Sequence, residues 1–107
     1  MGEVWCPRML DIDLSSGRVS VVRFREEQVR PYIGGSGLAA RLLAENTGAD
    51  TDPLSESNVL IYSLGPLTGT IAPTSGRHHI TAKSPLTGIF GEADVGGYFG
   101  RALRRAG

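Results

Sequence analysis

Residues 59–90 read VLIYSLGPLTGTIAPTSGRHHITAKSPLTGIF, and this stretch decides the fold. It opens with Val59-Leu60-Ile61-Tyr62, continuously apolar and β-branched at two positions, which predicts a strand buried on both faces at the centre of a sheet. A second strand is predicted over Arg77 to Ala82, where the residues alternate, and Ile89-Phe90 opens a third. The connections carry one four-residue sequence twice, Pro66-Leu67-Thr68-Gly69 and Pro85-Leu86-Thr87-Gly88. Proline at the second turn position and glycine at the fourth favour tight reversals, so the strands they join should run antiparallel. Two copies make a reused turn and not a repeat architecture.

Upstream, Met9 to Phe24 reads as a β-hairpin. Leu10, Ile12 and Leu14 alternate with Asp11 and Asp13, and Ser15-Ser16-Gly17 supplies the turn. On the return strand Val19 and Val21 share one face, so one side of the hairpin should pack on a core and the other meet solvent. Glu26 to Arg30 is one helical turn cut short by Pro31. The spacing of Leu38, Leu42 and Leu43 predicts a helix over Ser36 to Asn46, with Ser36 as its cap and Gly48 as its stop. A last helix is predicted from Gly97 to Arg105, with a basic final turn. The order strand, strand, helix, strand, strand, strand, helix is a sheet-rich α+β domain with antiparallel sheets and two or three short helices. Its sheet edges have no obvious cover, and the expectation is a single domain over residues 1–107 that is incomplete at its C-terminus.

Composition narrows the function classes. The 107 residues carry 11 Lys plus Arg and 11 Asp plus Glu, a formal net charge of zero, which argues against nucleic acid or a membrane surface as partner. No run approaches a membrane span and no apolar signal core follows Glu3, so the cytoplasm is the expected location. Cys6 is the only cysteine, so this chain cannot ligate an iron–sulfur cluster or a four-thiolate metal by itself. Glycine is the outlier at 15 residues, about twice the usual share.

Three glycine-rich places bear on chemistry. Gly35-Ser36-Gly37-Leu38-Ala39-Ala40 fits a dinucleotide spacing, but no hydrophobic strand precedes it and no strand–helix alternation follows, so close helix–sheet packing is the better reading. Pro73-Thr74-Ser75-Gly76-Arg77 combines small residues with a guanidinium suited to phosphate or a heterocycle edge; as an ordinary turn it would leave Arg77 solvated. In Glu92-Ala93-Asp94-Val95-Gly96-Gly97, two carboxylates precede paired glycines at a predicted helix start. There backbone N–H groups can hold an anion and a carboxylate can hold Mg²⁺; otherwise Asp94 is a helix cap and the glycines aid packing. His78 and His79 are adjacent on a strand, point to opposite faces and cannot jointly grip a metal. Cys6 beside Trp5 reads as packing.

Taken together, Tyr32-Ile33-Gly34-Gly35-Ser36-Gly37-Leu38, Asp52-Pro53-Leu54-Ser55, Gly65-Pro66-Leu67-Thr68-Gly69-Thr70, Gly76-Arg77, Thr81-Ala82-Lys83-Ser84-Pro85-Leu86-Thr87-Gly88 and Gly96-Gly97-Tyr98-Phe99-Gly100 resemble the N-terminal domain of the aldehyde ferredoxin oxidoreductase family, from about Trp5 to Gly107. The resemblance implies a base for a tungsten, occasionally molybdenum, bis-pterin cofactor, with Mg²⁺ joining the pterin phosphates. It implies an enzyme that oxidises aldehydes to carboxylic acids and passes electrons through a [4Fe–4S] cluster to ferredoxin; some members act instead on aromatic acyl thioesters. The family's pterin-contacting arginine falls on Arg77, and the segment that contacts pterin and Mg²⁺ falls on Asp94, Val95 and Gly96, with Gly97 beside it. The usual asparagine is Asp94 here, and Ser36 stands where many relatives carry arginine. Cofactor-binding residues are therefore expected at Arg77, Asp94, Gly96 and Gly97, with Asp94 as the metal contact and no catalytic residue in this chain. The cluster would be ligated by the remainder of the enzyme, in other domains or a separate subunit, and a homodimer is compatible with this arrangement. The competing expectation is a non-catalytic module that binds a phosphorylated ligand or a partner protein through the same loops.

Overall fold

A computed structural model describes residues 7–107; Trp5 and Cys6, expected to pack near the terminus, lie outside the described residues. Strands β1 (Arg8–Asp13) and β2 (Arg18–Arg23) form the hairpin; α1 (Glu26–Val29) runs into a 3-10 turn at Arg30–Tyr32, followed by α2 (Gly35–Asn46). Strands β3 (Ile61–Ser63), β4 (His78–Lys83) and β5 (Phe90–Val95) make the second sheet, and α3 (Phe99–Ala106) follows it. Both sheets are antiparallel, one of two strands and one of three in the order β3-β4-β5. The α+β antiparallel class is the one the sequence predicts.

The repeated turns do what their chemistry requires. The second copy joins β4 directly to β5, and the first lies in the longer β3–β4 connection. Gly69 and Gly88, the fourth residues, sit at φ +75° and +70°, where a side chain would be strained.

The predicted central strand is a correction. Of Val59-Leu60-Ile61-Tyr62 only Ile61 and Tyr62 enter the three-residue edge strand, and Leu60 is 62% and Tyr62 49% exposed. The centre is β4, His-His-Ile-Thr-Ala-Lys, whose His78, Thr81 and Lys83 are buried. Hydropathy misjudges it because Lys83 finds specific partners there and His78 packs between the rings of Tyr62 and Phe99, while the Thr81 hydroxyl is buried without a hydrogen-bond partner among the described residues. Lys83 directs its ammonium at the carbonyls of Gly48, Ala49 and Thr51, at 2.9, 2.9 and 2.8 Å. Asn58 bridges its main chain, accepting from the Lys83 N–H and donating to the Lys83 carbonyl. The loop after α2 is thereby tied to the end of β4.

The apolar core is small: Leu38, Ala39, Leu42 and Leu43 of α2 with Val29 of α1. These leucines are the predicted stripe, each contributing roughly 1.5–3 kcal/mol on full burial. The helix starts one residue before Ser36, after Gly34, and ends at Thr47, whose N–H and hydroxyl both bond the Leu43 carbonyl. Ser36 therefore lies in the first turn and Gly48 beyond the cap. The hairpin differs more. Cross-strand pairs Leu10–Val21 and Ile12–Val19 form its apolar face, yet all four residues are 50–59% exposed, so among the described residues no core covers the side expected to be packed.

Candidate functional site

The loop before β4 and the loop after β5 meet. A Cβ on Gly76 would lie 2.8 Å from the carbonyl oxygen of Gly97, and one on Gly100 would lie 2.7 Å from the carbonyl oxygen of Gly76. Backbone touches backbone at both points, and any side chain would force the segments apart. Thr68 fastens the base: its buried hydroxyl accepts from the Gly65 N–H and donates to the Arg77 carbonyl. Arg104 of α3 donates to the Pro66 carbonyl, fixing the helix against the first turn.

Between these loops lies a hollow of about 440 Å³, lined by Thr70, Ala72, Thr74, Ser75, Gly76, Gly97, Tyr98 and Arg101, within the range of small-molecule sites. Thr74 adopts φ +55°, a left-handed conformation costly for a β-branched residue. Gly97, at φ +102°, has nothing within 4 Å of the position a Cβ would take, leaving its backbone open to the hollow.

Of the residues singled out in the sequence, Gly76 and Gly97 face one another here, and Gly96 borders open space beside them. Arg77 is exposed next to Gly76 and does not line the hollow. Asp94 is not at a helix start: it lies in β5, directly opposite His79, and its carboxylate oxygen is 2.5 Å from His79 Nδ1. Helix α3 begins five residues later, so a capping role for Asp94 is overturned; β5 continues past the expected short strand and carries both carboxylates with it. His79 abuts Gly35 at the start of α2, whereas His78 packs on the other face between Tyr62 and Phe99, at ring-centre distances of 6.2 and 4.9 Å. The opposite-face reading of the two histidines thus holds.

The sequence reading missed Arg101. It sits in the first turns of α3, and helical side chains lean toward the helix N-terminus, which aims this one back over Gly97 and Tyr98. The spacing from Gly97 to Arg101 was the available signal.

A pterin-phosphate group fits the donor set, because a guanidinium, a tyrosine hydroxyl and open glycine backbone converge without an acidic side chain in the lining. For a metal ion the fit is partial: no cluster of three His, Cys, Asp or Glu side chains exists among the described residues. A lone Asp94 could serve Mg²⁺ only with ligand phosphates and water completing the shell. Among the described residues no helix is long and apolar enough to cross a membrane.

This fold, two antiparallel sheets with a glycine-walled hollow, is that of an oxidoreductase N-terminal domain, and the chain belongs to the aldehyde ferredoxin oxidoreductase family, whose N-terminal domain model matches residues 9–107. Among individual proteins, it is 46% identical over 100 residues to tungsten-containing aldehyde ferredoxin oxidoreductases of Pyrococcus furiosus and Thermococcus kodakarensis, covering 94% of this chain and 16% of each relative. It is 33% identical to the WOR-like subunit of an aliphatic sulfonate oxidoreductase of Pyrococcus furiosus. The active-site complex BamBC of benzoyl coenzyme A reductase, solved with 1,5-dienoyl-CoA, superposes with a TM-score of 0.88 at 31% identity, over 92% of this chain and 15% of that one. The chain thus spans about one sixth of the length of the relatives it matches.

Proposed function

We propose that this chain is the N-terminal cofactor-binding domain of a tungsten-pterin oxidoreductase that oxidises aldehydes to carboxylic acids and passes the electrons to ferredoxin, and that it does not turn over alone. The observation that carries the reading is the meeting of the Gly76 and Gly97 loops in one hollow, in a chain of this family. The aldehyde assignment follows the two relatives at 46% identity over the sulfonate and acyl-thioester proteins at 33% and 31%.

When bound, the tungsten-pterin group supplies the redox centre. This chain's residues bind and orient. Arg77 donates to a pterin edge or phosphate, Gly96 and Gly97 present main-chain N–H groups, and Asp94 accepts from the pterin or contributes one oxygen to Mg²⁺. His79 lies beside the Asp94 carboxylate, directly opposite it on the neighbouring strand. The [4Fe–4S] ligands come from the remainder of the enzyme, since Cys6 is the only cysteine here. The open hairpin face of Leu10, Ile12, Val19 and Val21 supports a covering partner in that remainder, because a two-stranded hairpin is marginal on its own.

The test is to co-express the chain with the remaining domains and measure tungsten and pterin per protein. Arg77→Ala and Asp94→Ala should each lower both. Full occupancy in the two variants would remove these residues from the site, and absence of tungsten from the reassembled wild type would favour a non-catalytic phosphorylated-ligand module.

A further inference from the structure

We propose that His79 is a positioning residue for Asp94: set between the start of α2 and the carboxylate, it offers Nδ1–H to one Asp94 oxygen and thereby directs the other toward a ligand. Ser63, His79 and Asp94 are register partners across β3, β4 and β5, so their side chains form one row on the face that α2 packs against. His79 Nδ1 is buried and lies 2.5 Å from Asp94 Oδ1. At that separation two lone pairs would repel, so the proton belongs on Nδ1. The Ser63 hydroxyl is buried with no hydrogen-bond partner among the described residues, so it does not compete for the ring. From the other side the ring meets Gly35, where a Cβ would lie 3.1 Å from Cδ2 and 3.2 Å from Nε2. Glycine at φ +52° leaves the ring that room while the chain turns into α2. The close helix–sheet approach read from the Gly35 motif thus ends on a side chain that touches the site. The Asp94 side chain remains 45% exposed, so one oxygen faces His79 and the other is open to a ligand.

The inference rests on the cofactor reading of Asp94, and its test separates the two. In the 107-residue chain, labelled with ¹⁵N at its two histidines, ring-nitrogen NMR shifts show which nitrogen carries a proton. Nδ1 of His79 should carry one, with or without a cofactor. Tungsten and pterin per protein are then measured in the chain co-expressed with the remaining domains. Removing the outer partner of a ligating side chain typically costs about ten- to a hundredfold in metal affinity, so His79→Leu should lower both contents toward the Asp94→Ala level. His79→Asn places an amide N–H where Nδ1–H stands and should restore most of the loss, whereas His79→Gln, which reaches the Nε2 position instead, should not. A role in filling space would not separate these two variants. Gly35→Ala should lower both contents as well, while Gly17→Ala, at φ +72° with nothing within 4 Å of its Cβ, carries comparable strain away from the ring and should not. A bare Nδ1, full occupancy in His79→Leu, equal losses in the Asn and Gln variants, or no difference between the two glycine variants overturns the proposal. If Asp94→Ala alone still loses tungsten and pterin, the cofactor reading survives that failure; if Asp94→Ala keeps both in full, both readings of Asp94 fall together.

Discussion

Replacing Lys83 with methionine keeps the buried stem and removes three N–H donors, which isolates what the ammonium does. In the native chain Lys83 is 8% exposed, bonds three main-chain carbonyls within 2.9 Å and forms no ion pair among the described residues. Hydrogen bonds from a charged donor contribute about 1.5–3 kcal/mol each, so independent bonds would give roughly 4.5–9 kcal/mol. Two effects reduce that. Taking the ammonium out of water costs several kcal/mol, a penalty methionine does not carry, and the freed carbonyls belong to Gly48, Ala49 and Thr51 on a surface loop, where water can replace the lost donor. A net loss of about 2–4 kcal/mol results, read as a drop of about 1 M or more in the urea midpoint by circular dichroism. Lys83→Arg should recover only part of it, because a planar fork cannot aim at three carbonyls converging on one point. A Lys83→Met variant within about 0.5 kcal/mol of wild type would show that the ammonium is solvated and that the loop is held by Asn58 alone.

Gly76→Ala should cost about 1–3 kcal/mol in the same denaturation, since its Cβ would sit 2.8 Å from the Gly97 carbonyl and force the two loops apart. Thr74→Gly should raise stability, or at least not lower it, by releasing about 1 kcal/mol of left-handed strain against the entropy glycine adds; a clear loss would mean that the Thr74 side chain holds the loop. Asp13 is held below its ordinary carboxylate pKa of 3.8, first by the Ser16 hydroxyl, then by the Ser16 and Ser15 N–H groups, with a smaller pull from Arg18. A depressed folded pKa gives stability that is present above about pH 4 and lost as pH falls through the folded value, so hairpin amide signals should weaken over that acid window in wild type and not in Asp13→Asn.

Local signals were legible where a pattern needs only its neighbours. The leucine stripe of α2, the alternation of the hairpin and the proline–glycine turns each fix geometry over a few residues, and each appears close to its predicted place. The centre of the sheet was not legible. The stretch His78 to Lys83 looks too polar for a middle strand until its neighbours are known, and these, Asp94 beside His79 and the carbonyls of residues 48, 49 and 51 around Lys83, lie 15 to 35 positions away. The apolar run at 59–62 misleads for the converse reason: most of its surface is open and its pairing is confined to an edge. At the site, glycine density marked both loops, but Arg101 on a helical wheel is simply one more exposed cation. Only the path of residues 70–76 gives it a cavity to face.

The hollow is held together mainly where side chains are missing. Two contacts set the spacing of its walls, Gly76 against the Gly97 carbonyl and Gly100 against the Gly76 carbonyl, and both are backbone on backbone. Contacts of that kind have few rotameric degrees of freedom to absorb a change, so a displacement of α3 is passed to the loops rather than taken up by repacking. Helix α3 is in turn fixed by Phe99 against His78 and by Arg104 on the Pro66 carbonyl, and His78 is buried in the middle strand. The position of the hollow is therefore referred to the second sheet through the Phe99 ring against His78 and Tyr62 and through the Thr68 hydroxyl on the Arg77 carbonyl, with Arg104 and Arg8 fixing the rest of the helix. On the proposed function, orienting a bound group needs that reference more than it needs an acid or a base, and turns and close approaches of the glycine-rich main chain supply it.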